Sequence, residues 1–156
     1  MGVTVAGLMD VENLLVRVDM NTKKRITLVM VNNAIKIKDL AIKMAPVDEA
    51  NLEKAIKVRP ENAGRIRNEA GQFQRQEIEV YIDMNMAVPG RPGKRVGDYA
   101  YEMHEHLTPL GPLKLGPKSQ AKNGTNGVQV GGGFLTRAAE QVTQTLMEEI
   151  ELNMFG

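Results

Sequence analysis

Gln76-Glu77-Ile78-Glu79-Val80-Tyr81-Ile82-Asp83 is the stretch whose reading decides the fold. Successive side chains of an extended strand alternate sides, so Ile78, Val80 and Ile82 share one face while Glu77, Glu79, Tyr81 and Asp83 share the other. A strand with one polar face belongs to an antiparallel sheet with a side in water, or lining the lumen of an assembly. Parallel sheets are buried on both faces and read as unbroken apolar runs. The apolar side therefore needs a cover.

Upstream, Ile26, Val29, Met30, Ile37, Leu40, Ala41 and Met44 recur at three- and four-residue steps, with Lys23, Lys24, Lys36, Lys38 and Lys43 largely elsewhere. This is a helix from about residue 22 to Met44 whose stripe is wide enough to lie on a sheet. Pro46 ends it, because the residue before proline is pushed out of the helical region. Before it, Asp10 caps a short amphipathic helix through Val11, Leu14, Leu15 and Val18, an N-terminal helical arm over residues 1–21. After it, Asp48 caps a turn or two through Leu52 and Ile56. Ile56 to Arg59 then alternates, and Pro60 to Gly64 reads as a turn. Val88 to Lys94 is a Pro/Gly loop, and Asp98 caps a helix through Tyr99, Ala100, Met103 and Leu107. A closing helix runs from Phe134 to about Asn153, apolar at Leu135, Ala138, Ala139, Val142, Leu146 and Ile150 and acidic outside. The expectation is one α+β domain: a helix-and-sheet core over residues 22–107, an extended loop over 108–133, and the C-terminal helix over 134–153.

Composition narrows the function. With no cysteine there is no disulfide, thiolate nucleophile or Cys-ligated zinc, and a reducing cytoplasm is the expected place of synthesis. No apolar run reaches the ~20 residues that cross a bilayer, and Met1 to Ala6 lacks both the basic start of a signal peptide and the Ser/Thr of a myristoylation signal. A net charge of +1 and six aromatics argue against a dedicated nucleic-acid binder or a sugar cleft. Protein partners fit better.

Thr108 to Gly133 stands apart, with three prolines, many glycines and no Asp or Glu. A flexible chain of that length spans about 28 Å, against a radius of gyration near 15 Å for a fold of this size. Such a loop reaches a neighbour. Lys114, Lys118 and Lys122, without acidic companions, would draw it to acidic protein or to phosphates. Val128-Gln129-Val130 between glycines looks able to add as a strand elsewhere.

The only two histidines lie in Tyr99-Ala100-Tyr101-Glu102-Met103-His104-Glu105-His106. On a helix, residues two apart diverge by about 200°, so His104 and His106 do not converge on a metal. Polar surface positions, with one histidine packed at an interface, suit them better. Gly131-Gly132-Gly133 lacks the Lys-Ser/Thr of a phosphate loop and reads as a hinge. No Ser-His-Asp partnership is visible, and the Glu77/Glu79 face is an ordinary wet face. No catalytic, cofactor or metal residue is assigned.

Three pieces in this order resemble the head–tail connector or tail-completion (neck) proteins of long-tailed bacteriophages. They are Ala45-Pro46-Val47-Asp48 with Asn51-Leu52 and Ala55-Ile56; Tyr99-Ala100 with His104-Glu105; and Gly133-Phe134-Leu135 with Ala138. Together they span roughly residues 25–150. Ala50 stands where the family often has Gly, which admits a helical turn after Pro46, and the loop before Phe134 is longer than the family's short version. The resemblance implies an α+β subunit of a homo-oligomeric ring in the virion neck, assembled in the host cytoplasm and without catalytic activity. Its partners would be other copies, portal- or adaptor-side neck proteins, and tail-tube or terminator proteins. DNA would pass through the lumen without sequence-specific contacts, and no membrane is involved. Pro46, Asn51 and Leu52 would define turns; Tyr99, His104 and Phe134 would pack or face a partner.

Other readings are a tail terminator or minor capsid component, a metal-dependent hydrolase built on His104, Glu105 and His106, and a nucleic-acid module using Arg91 to Arg95 and Lys114 to Lys122. For the joining loop, the interface candidates are Lys114, Lys118, Lys122, Val128 and Val130. Deleting Lys114 to Val130 is expected to leave a folded subunit that no longer assembles, as judged by circular dichroism and sedimentation.

Overall fold

The computed structural model describes residues 2–4, 20–47, 51–59 and 78–155. The helix expected after Asp10, the Asp48 cap, Ala50, the 60–64 turn, and Gln76 and Glu77 lie outside the described residues. In chain order the elements are β1 (Gly2–Thr4), α1 (Met20–Met44), α2 (Asn51–Ala55), β2 (Ile56–Arg59), β3 (Glu79–Ile82), α3 (Gly97–Glu105), α4 (Pro117–Lys122), α5 (Phe134–Thr143) and α6 (Leu146–Phe155).

The sheet is antiparallel with order β1-β3-β2, so β3 is central. Gly2–Thr4 is therefore an edge strand and not the start of a helical arm. Val58 faces Val80 and Ile56 faces Ile82 across β2 and β3, and Ile78, Val80 and Ile82 are buried. On the other face Arg59 pairs with Glu79 at 2.7 Å and stacks 4.1 Å from the Tyr81 ring. An exposed ion pair of this kind adds little, since solvent screens it, whereas each buried Val or Ile contributes about 1.5–3 kcal/mol. The apolar face sets the register, since a one-residue slip would turn it to water.

The cover is α1 with α5 beside it. Ile26, Met30, Ile37, Ala41 and Met44 of α1 are buried as the stripe requires, with Ala34 and Asn33 between them. Asn33 is satisfied in part by donating to Val29 O at 2.8 Å and to Glu149 Oε2 of α6 at 3.1 Å. Pro46, Asn51 and Leu52 are all buried at the turn after α1.

The C-terminal segment departs from the single helix expected. It breaks at Gln144-Thr145 into α5 and α6 without any Pro or Gly. The Thr143 hydroxyl donates back to Ala139 O at 2.7 Å, and a threonine bonding its own preceding turn bends helices. The break lets α6 follow α1, with Leu146 and Ile150 in the core. Asp98 is likewise not a cap: it lies inside α3, and its Oδ2 accepts the Arg95 amide at 2.8 Å.

Phe134, a candidate interface residue, is fully buried at the start of α5. Phe134→Ala is expected to cost the isolated subunit about 3–5 kcal/mol. Urea denaturation checks this, and an unchanged midpoint would return Phe134 to an interface role.

Candidate functional site

Gly131, Gly132 and Gly133 are buried, and their consecutive amides donate to three separate places: Met44 O at 2.9 Å, Thr108 O at 2.8 Å and His104 O at 2.7 Å. The segment ties the end of α1 and the end of α3 to the start of α5. A side chain has no room there, since a Cβ on Gly132 would lie 2.3 Å from Leu107 O and one on Gly131 2.1 Å from Thr108 O. Gly131 also takes φ 148°, outside the range of most residues. The run is a pinned joint and not a hinge. Arg137 of α5 reaches back to Gly132 O at 3.0 Å and Gln129 O at 3.2 Å, and burial pushes its guanidinium down from its ordinary value.

His104 packs at this joint. Its ring meets Phe134 edge-on with centroids 5.0 Å apart, and Nδ1 lies 2.8 Å from Glu105 Oε1. A carboxylate only accepts, so Nδ1 carries the hydrogen of that bond. His106 points elsewhere, exposed beside Tyr101. The two rings do not converge, and among the described residues no group of three His, Cys, Asp or Glu is placed to hold a metal ion.

The 108–133 segment folds onto its own subunit. Lys122, at the end of α4, donates to Ile42 O at 2.6 Å, to Ala45 O at 2.8 Å and to Glu53. It thus supplies donors to the unpaired carbonyls at the C-terminus of α1, where the helix dipole also favours a cation. Ser119, buried on the same helix, accepts the Val47 amide at 2.9 Å. Asn123 Oδ1 accepts the Val130 amide at 2.9 Å, and Val130 is buried. The Val128-Gln129-Val130 run is part of a closed turn, with Val128 half-buried against the core. Of the interface candidates, Lys122, Val130, His104 and Phe134 are thus consumed by the subunit's own packing. Lys122 has an acidic companion after all, brought from α2.

Two of the remaining candidates, Tyr99 and Lys114, line a groove of about 400 Å³. It is lined by the apolar Pro46, Met103 and Leu113, by Tyr99, and by the basic Arg91, Lys94 and Lys114. Lys94 Nζ lies 5.9 Å from the centre of the Tyr99 ring. Tyr99 and Lys114 are therefore brought together, while Lys118 is exposed on α4 outside the lining. The sequence names Arg91 and Lys94 only within a loop and a possible nucleic-acid module, because nothing local in Val88 to Lys94 announces the turn 107–113 that lines the same groove. On the sheet's wet face, the hydrogen bond from Lys57 holds Asp83 below the usual carboxylate range, and the bond to Glu79 raises Arg59.

No protein-family model matches the chain, and no curated protein or solved structure does either. No helix among the described residues is long and apolar enough to cross a membrane.

The 108–133 contacts reverse the expectation for the deletion. Removing Lys114 to Val130 strips the cap from α1 and Val130 from the core, so the subunit itself should lose its cooperative thermal transition. Lys122→Met should cost about 1–3 kcal/mol by chemical denaturation. Paired with Glu53→Gln in a double-mutant cycle, the costs should be strongly non-additive, and simple additivity would refute the ion pair.

Proposed function

We propose that this chain is a structural, non-enzymatic subunit of the bacteriophage neck, forming an oligomeric ring that joins head to tail. The observation that carries the proposal is spatial. The three pieces of sequence that resemble the neck proteins are far apart along the chain, yet they meet at one joint. Met44, beside the Ala45-Pro46-Val47 turn, accepts from Gly131; His104 of the Tyr-Ala…His-Glu segment accepts from Gly133 and packs on Phe134. At such a joint each residue type is required by its neighbours, which is where residues that define a fold belong. The accessible groove, lined by apolar and basic side chains together, suits protein contacts.

The partners on this reading are other copies, portal-side neck proteins and tail-tube or terminator proteins, with DNA threading the lumen. A tail terminator or minor capsid component is the nearest alternative within the same structural class.

Gold-labelled antibody against the chain should mark the head–tail junction of purified particles in negative stain. Label at the far end of the tail or over the capsid would move the subunit to the alternative position, and particles lacking the chain would end the virion reading.

A further inference from the structure

We propose that the basic groove receives the exposed face of α6 from a second copy of this chain, forming a head-to-tail contact. The inference rests on the ring reading and names the surfaces that would build it.

The groove offers Arg91, Lys94 and Lys114 with no carboxylate bonded to any of them among the described residues. Leu113 lines it and is exposed. On α6, Met147, Glu148, Glu151 and Leu152 are exposed. Residues three and four apart share a helix face, so these make one stripe with two acids and two apolar side chains. Glu149, by contrast, is turned inward to Asn33 and Lys36. Among the described residues seven large apolar side chains are exposed, and three of them, Leu113, Met147 and Leu152, lie on these two surfaces. The two surfaces thus carry opposite charge, and each adds exposed apolar area that a partner would cover.

The two surfaces cannot satisfy each other within one chain. The groove sits past the C-terminal end of α1, at Pro46 and Val47. The α6 helix meets α1 at Asn33. From Asn33 to Met44 the helix axis runs about 16 Å at 1.5 Å per residue. Two different, separated and complementary patches on one subunit make a heterologous contact, which generates a ring when the rotation closes and a filament when it does not.

Nucleic acid is the competing occupant of a basic edge, and the test separates the two. Sedimentation velocity of the full chain, over a range of concentrations, is compared for wild type, Arg91→Glu/Lys114→Glu, Glu148→Lys/Glu151→Lys, and the chain carrying all four changes. All four side chains are exposed, so thermal midpoints should stay within the wild-type range. Each double variant should weaken self-association by about tenfold or more, and the fourfold variant should recover it. An equimolar mixture of the two double variants should also recover it, because reversed groove then meets reversed helix. Assembly unchanged in both double variants overturns the contact while leaving a neck position, read by gold labelling, intact. A wild type that stays monomeric overturns it as well. Loss of oligonucleotide binding in Arg91→Glu/Lys114→Glu, with unchanged self-association, assigns the groove to nucleic acid instead.

Discussion

Three backbone amides in a row, those of Gly131, Gly132 and Gly133, hold the molecule together at one point by donating to Met44, Thr108 and His104. These bonds connect elements far apart in sequence, and they form only because no side chain intervenes. With a Cβ at Gly132 meeting Leu107 O at 2.3 Å, any other residue would force α3 and α5 apart. Phe134 then enters the core directly after the joint, against His104. The path of α5 across the sheet, and of α6 along α1, follows from where that joint fixes the start of α5.

A second constraint works with it at the same end of the molecule. The last carbonyls of α1 need donors, since a helix C-terminus leaves its final carbonyls without intrahelical partners. Lys122 supplies them at Ile42 and Ala45 and shares its remaining charge with Glu53. A segment that looks like a free arm is in this way the cap of the longest helix. The cap explains why a stretch rich in Gly and Pro holds one conformation: its order comes from long-range polar contacts rather than from local propensity.

That also marks where sequence reading succeeds and where it stops. The alternation at Ile78, Val80 and Ile82 and the three- and four-residue stripe of α1 are local periodicities, and each follows from which side faces the core. The α+β class and the pairing of helix on sheet are legible from them. The fate of Lys122 is not, because its partners lie some 70–80 residues away and nothing near it marks the pairing. Neither is the break at Thr143, whose cause is a hydroxyl bonding to a carbonyl in a segment with an unbroken apolar period. The candidate site divides on the same line. Lys114, Tyr99 and the Arg91 to Arg95 run are each legible as residues of interest, while their meeting in one groove is not, since it depends on how the turn 107–113 is placed.

The loop's attachment bears on how any partner would bind. Thr108 donates to Leu113 O and Leu113 donates to His106 O, so the turn that carries Leu113 and leads to Lys114 is pinned to the end of α3. Opposite it, Val88 donates to Lys94 O and Arg91 to Val88 O, closing the turn that carries Arg91 and Lys94. Both walls of the groove are therefore built before any partner arrives, and association would order only a few side chains, at about 0.5–1.5 kcal/mol each. A free arm of the same composition would have to order its whole backbone, at about 1–2 kcal/mol per residue. For a subunit proposed to join a closed ring, the angle between neighbours would then be set by hydrogen-bonded turns and a helix already formed in the fold.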